Sequence, residues 1–87
     1  METIRLDGAR LCAREEAMEL LGQALALPDW WGHNLDALHD CLTEVGRPVR
    51  LELYNREAAE ASPFGRRLLR VLEDSAAENP CLELVAE

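Results

Sequence analysis

The chain has 87 residues, 48% of them hydrophobic, and a net charge of −8, which is enough for one small domain with a modest core and too apolar for a disordered chain. No apolar run approaches the ~20 residues of a membrane span. Its three cysteines, Cys12, Cys41 and Cys81, have neither an even count nor metal-knuckle spacing, so free thiols are expected. A single domain over residues 1–87 is expected, without a leader and in the cytoplasm.

The elements follow in order. Thr3 to Leu6 alternates polar and apolar and stops at Asp7-Gly8, which reads as a short strand. From about Ala13 to Leu25, residues Ala17, Leu20, Leu21, Ala24 and Leu25 recur with helical spacing, and Glu15, Glu16 and Glu19 sit where the helix dipole favours them. Gly22 weakens that helix slightly, and Pro28 marks its stop. A connector carrying Trp30, Trp31 and Gly32 leads to Asn34, a suitable N-cap. The second helix is expected to run to about Val45 and to stop at Gly46.

Pro48 then opens a strand in which Val49, Leu51 and Leu53 alternate with Arg50, Glu52 and Tyr54. Asn55 is placed to cap a short helical turn over residues 56–61. Ser62-Pro63 begins a longer helix that turns Leu68, Leu69, Val71, Leu72 and Ser75 or Ala76 inward and ends near Asn79-Pro80. Cys81 to Val85 is the last strand. Successive strands joined by helices imply a parallel sheet. Because each strand alternates, the expectation is an α/β fold of two layers, a small three-stranded parallel sheet covered on one side by three to four helices.

Charge singles out the second helix. Leu35, Leu38, Leu42 and Val45 form one stripe, while Asp36, Asp40 and Glu44, each four apart, form another about half a turn away. Asp36 and Asp40 stand about 6 Å apart, one turn along the axis. The i,i+4 carboxylates repel by a few tenths of a kcal/mol per pair, and Glu44 lies at the helix's negative end. From Glu15 to Gly46 there are seven acidic residues and no Arg or Lys. That segment has the wrong sign for nucleic acid and the right one for a basic protein. Two tryptophans that are neighbours on a short connector cannot both point inward, and an exposed indole beside carboxylates has the composition of a binding hot spot.

Other readings of these residues are a metal site from His33, Asp36, His39 and Asp40, and acid–base chemistry at His39-Asp40. The sequence has no phosphate-cradling glycine loop and no clear nucleophile beyond Cys41, so an enzyme, a metal and a cofactor are not expected. A protein-binding module with a non-nuclease basic partner is the alternative function.

Residues 27–43, Leu-Pro-Asp-Trp-Trp-Gly-His-Asn-Leu-Asp-Ala-Leu-His-Asp-Cys-Leu-Thr, resemble the signature of the barstar family of ribonuclease inhibitors, and the order of elements matches across nearly the whole chain. The resemblance implies a barstar-like fold and inhibition of a basic ribonuclease or nuclease toxin, with a monomer when free. It implies that Asp40 enters the nuclease active site in place of a substrate phosphate and that Asp36 is a second acidic contact. Trp30 would cover a catalytic histidine of the enzyme, with Gly32, Asn34, Leu35, His39 and Thr43 at other interface positions. Asp74 corresponds to an acidic contact on the last helix. His33, where the family has an acidic residue, and Glu44 complete the expected binding face. His39 replaces a large aromatic of the best-known member, and residues 44–47 are one shorter, so a different nuclease target is expected. Protonation of His33 and His39 would weaken binding to a cationic partner as pH falls.

Overall fold

The structure is a computed structural model, and it describes residues 2–28, 31–32 and 34–86. Three strands, β1 (Glu2–Asp7), β2 (Val49–Tyr54) and β3 (Leu82–Ala86), form one sheet in the order β1-β2-β3, and both pairs are parallel. The first crossover carries a single 3-10 turn (Gly8–Arg10), α1 (Arg14–Ala24) and α2 (Leu35–Thr43). The second carries α3 (Arg56–Glu60) and α4 (Pro63–Glu78). This is the expected three-stranded α/β fold, and the 3-10 turn is an addition to it.

Alternation along the strands separates the layers. Ile4, Leu6, Val49, Leu51, Leu53 and Leu82 are buried in one cluster with Leu21 of α1, Leu38 and Leu42 of α2, and Leu68, Leu69 and Leu72 of α4. The opposite face is a ladder of charge. The parallel register sets Arg5 opposite Glu52 and Arg50 opposite Glu83, giving ion pairs at 3.7 and 4.0 Å, with Arg50–Glu52 at 3.2 Å between them. The Arg5 guanidinium also lies 4.8 Å from the Tyr54 ring centroid. Such exposed pairs contribute little stability each, but they leave that face polar.

Local sequence accounts for the starts of α2 and α4. Ser62 Oγ accepts from Gly65 N at 3.2 Å, as expected of an N-cap, and donates to Cys12 O at 2.9 Å, which ties α4 to the start of the chain. Gly65 permits the close approach of α4 to α3: a Cβ there would stand 2.0 Å from Ala59 O. Trp31 is 3% exposed and its indole lies on Gly22, where a Cβ would be 3.1 Å from Nε1. The mid-helix glycine, read from sequence as a weak point of α1, therefore makes room for the ring.

Asn55 does not cap α3 as expected. Its backbone is left-handed (φ 53°), and its side chain makes no cap bond. Instead Asn55 Nδ2 donates to Asp7 Oδ1 at 3.0 Å, joining the ends of β2 and β1, and Ala9 N donates to the same oxygen at 3.0 Å. The Asn55 hydrogen bond, followed by that from Ala9, holds the Asp7 carboxyl below its ordinary value. A carboxylate depressed in the folded state adds stability above its unfolded pKa, and that contribution is lost as pH falls through the folded value. Asn55→Ala is expected to raise the Asp7 pKa toward that of an unfolded aspartate, as read by carboxyl NMR titration, and to flatten the acid limb of the stability profile.

Candidate functional site

The acidic helix is held at both ends. At its start, Asn34 has extended backbone (φ −135°, ψ 166°) and its Oδ1 accepts from Ala37 N at 2.8 Å, as its sequence position implies. Its Nδ2 donates to Gly32 O at 3.3 Å, and Gly32 takes φ 90°, a conformation that a side chain at this position would strain.

At the other end the helix does not reach Val45 and does not stop on a left-handed Gly46. The last helical residue is Thr43, Glu44 is the C-cap, and Gly32 has the only positive-φ glycine backbone among the described residues. A distant side chain binds two carbonyls at this end. Asn79, 6% exposed at the end of α4, donates its Nδ2 hydrogens to Leu42 O and Val45 O, both at 2.9 Å. Its Oδ1 accepts from Cys81 N at 2.9 Å. Sequence reading placed Asn79 only at the end of a helix. No periodicity marks a contact spanning 37 residues.

Leu38 and Leu42 are buried, while Asp36, Asp40 and Glu44 are exposed on the other side of the helix. Among the described residues, none of these three carboxylates has an ion pair or hydrogen bond. Thr43 Oγ1 donates to the backbone oxygen of Asp40 at 3.0 Å. Leu35 is half-buried at the head of the helix, beside a groove of about 310 Å³ lined by Arg14, Asn34, Asp36, Phe64 and Arg67. His39 is half-buried, and its Nε2 pairs with Glu78 of α4. Asp74 is exposed on α4, 3.7 Å from Arg70. Trp30 and His33 lie outside the described residues. Among the described residues no three of His, Cys, Asp and Glu are grouped to hold a metal ion, and no helix is long and apolar enough to cross a membrane.

Cys41 sits half-buried between the two stripes of α2. Burial, then the charges of Glu44 and Asp40, push its thiol above the ordinary value, which suppresses the nucleophilic thiolate. The thiol is therefore expected to alkylate more slowly than a free cysteine at neutral pH. Asp40→Asn with Glu44→Gln should accelerate it a few-fold, measured in Cys12→Ser/Cys81→Ser protein. An unchanged rate would show that the neighbouring charges do not act on it.

The geometry defines a small two-layer α/β protein carrying a doubly capped helix with exposed carboxylates on its outer face. The sequence model of the family described as Barstar (barnase inhibitor) matches residues 1–83, and the chain belongs to that family. It is also 35% identical over 81 residues to a protein of Bacillus subtilis (strain 168) named "Putative ribonuclease inhibitor YrdF", across 90% of this chain and 89% of that protein.

Proposed function

We propose that this protein is an inhibitor of a ribonuclease, and that α2 acts as a substitute for substrate phosphates. The observation that carries the reading is the pair of exposed carboxylates of Asp36 and Asp40, without an ion pair among the described residues, on one stripe of a helix fixed at both ends. A ribonuclease clusters cations to bind phosphodiesters and to stabilise the charge that develops on them during cleavage. Two carboxylates one helical turn apart match such a cluster in charge and offer no bond to cleave. The protein blocks the site by occupancy and is not itself an enzyme.

In this reading Trp30, Gly32, His33, Asn34, Leu35, His39, Thr43 and Glu44 are further partner contacts, with Asp74 from α4. Long-range attraction speeds encounter, and desolvated ion pairs slow release. The protein is a monomer until bound. We place it in the cytoplasm, where its three unpaired thiols fit the reducing conditions.

Parallel pull-downs with the wild type and Asp40→Ala, followed by an RNA-cleavage assay on the proteins that differ, test this reading. A basic ribonuclease retained and silenced by the wild type alone is the expected result. A specifically retained protein without nuclease activity would favour the non-nuclease binding module.

A further inference from the structure

The acidic face of α2 has a partner on another helix. Across the seam where α2 packs on α4, Nε2 of His39 lies 2.5 Å from Oε2 of Glu78. The contact links a carboxylate of the last helix to the helix that already carries Asp36, Asp40 and Glu44. The charged and polar residues that helical spacing places around His39 come from both helices, with Glu78 in direct contact. On α2 they are Asp36 one turn earlier, the adjacent Asp40, and Thr43 one turn later. On α4 they are Glu78 itself and, one turn before it, Asp74 with its Arg70.

One proton sets the charge of this pair. A neutral imidazole donates its Nε2 hydrogen to the carboxylate, and the pair carries one negative charge. A protonated imidazole donates the same hydrogen, and the pair is neutral. The hydrogen bond is available in both states, so the packing of α2 on α4 can stay as it is while the surface charge changes.

We propose that His39 and Glu78 form a proton-gated part of the partner-binding face, adding a negative charge for a cationic cleft when the imidazole is neutral and withdrawing it when the imidazole is protonated. The proposal rests on the inhibitor reading. Besides its place among the partner contacts, His39 acts on the partner through the carboxylate it holds. With 33% of the His39 side chain and 59% of the Glu78 side chain exposed, solvent and salt limit the effect to a few-fold.

The test uses the full chain with His33→Gln, which leaves His39 as the one remaining imidazole of the two in the sequence. In the free protein, the carboxyl carbon resonance of Glu78 should show a step between about pH 8 and about pH 5.5, the span in which an imidazole changes charge, and His39→Gln should abolish that step. A Glu78 resonance without the step overturns the proposal.

A hexa-arginine peptide then serves as the cationic probe. Its affinity should be about two- to fourfold higher at about pH 8 than at about pH 5.5, and both His39→Gln and Glu78→Gln should reduce that ratio. A ratio unchanged by either variant overturns the proposal. Peptide binding that is indifferent to Asp36→Asn with Asp40→Asn counts instead against the inhibitor reading, and the resonance of Glu78 still decides the pair.

Discussion

Asp40→Ala is expected to weaken the complex with the target ribonuclease by about 2–5 kcal/mol, and mostly through faster dissociation. That is the usual cost of truncating one partner of a buried, hydrogen-bonded charge pair at a protein interface. Its physical basis is an asymmetry. In the complex the carboxylate and the enzyme's cations are both desolvated, so truncating one partner leaves the other buried and uncompensated.

In the free protein the same change should be nearly silent. Asp40 is exposed and, among the described residues, has no side-chain partner. Its removal also relieves repulsion from Asp36 and Glu44, a gain of a few tenths of a kcal/mol per pair. Surface plasmon resonance for rates and urea denaturation for stability measure the two sides. An affinity for the ribonuclease unchanged by Asp40→Ala, with the fold intact, would refute the mechanism. Rising salt should slow association of the wild type more than that of the variant.

Asn79→Ala is expected to destabilise the free protein by about 2–4 kcal/mol, which shows as a lower urea midpoint. The side chain donates to Leu42 O and Val45 O and accepts from Cys81 N. Alanine leaves Leu42 O with its backbone donor, Val45 N at 3.3 Å, and takes the Asn79 bond from Val45 O and Cys81 N, in a region where Asn79 itself is 6% exposed. The damage should concentrate at the last turn of α2 and the entry to β3, so the Cys81 amide should exchange with solvent faster than amides in the middle of β2. Because that turn carries Thr43 and Glu44, the variant should also lose some affinity for the ribonuclease. Stability equal to wild type would mean that water replaces all three bonds, and that the end of α2 is not held by α4.

Much of the architecture was legible before the structure, because the forces that set it act between near neighbours. Alternation in Val49–Tyr54, the Ser62-Pro63 start of α4 and the Asn34 cap of α2 each depend on residues at most a few positions apart. The carboxylate stripe is legible for the same reason. Asp36, Asp40 and Glu44 share a stripe by helical arithmetic, and Leu38 and Leu42 must then face the core. Asn55 is where local reasoning failed. Asparagine before a helical turn ordinarily caps it, but here the Asp7 carboxylate, 48 residues away, competes successfully for the side chain.

By itself, then, the sequence determined the strand and helix order, the layer each strand face belongs to, the carboxylate stripe and the family motif. Tertiary structure alone decided where α2 ends, that Trp31 rests on Gly22, and that His39 pairs with Glu78. The physical reason is sequence separation. Periodicity and capping report backbone geometry within a turn or two. A hydrogen bond from Asn79 to Leu42 or from His39 to Glu78 exists only once the chain has closed on itself, and no local pattern anticipates which distant side chain will arrive.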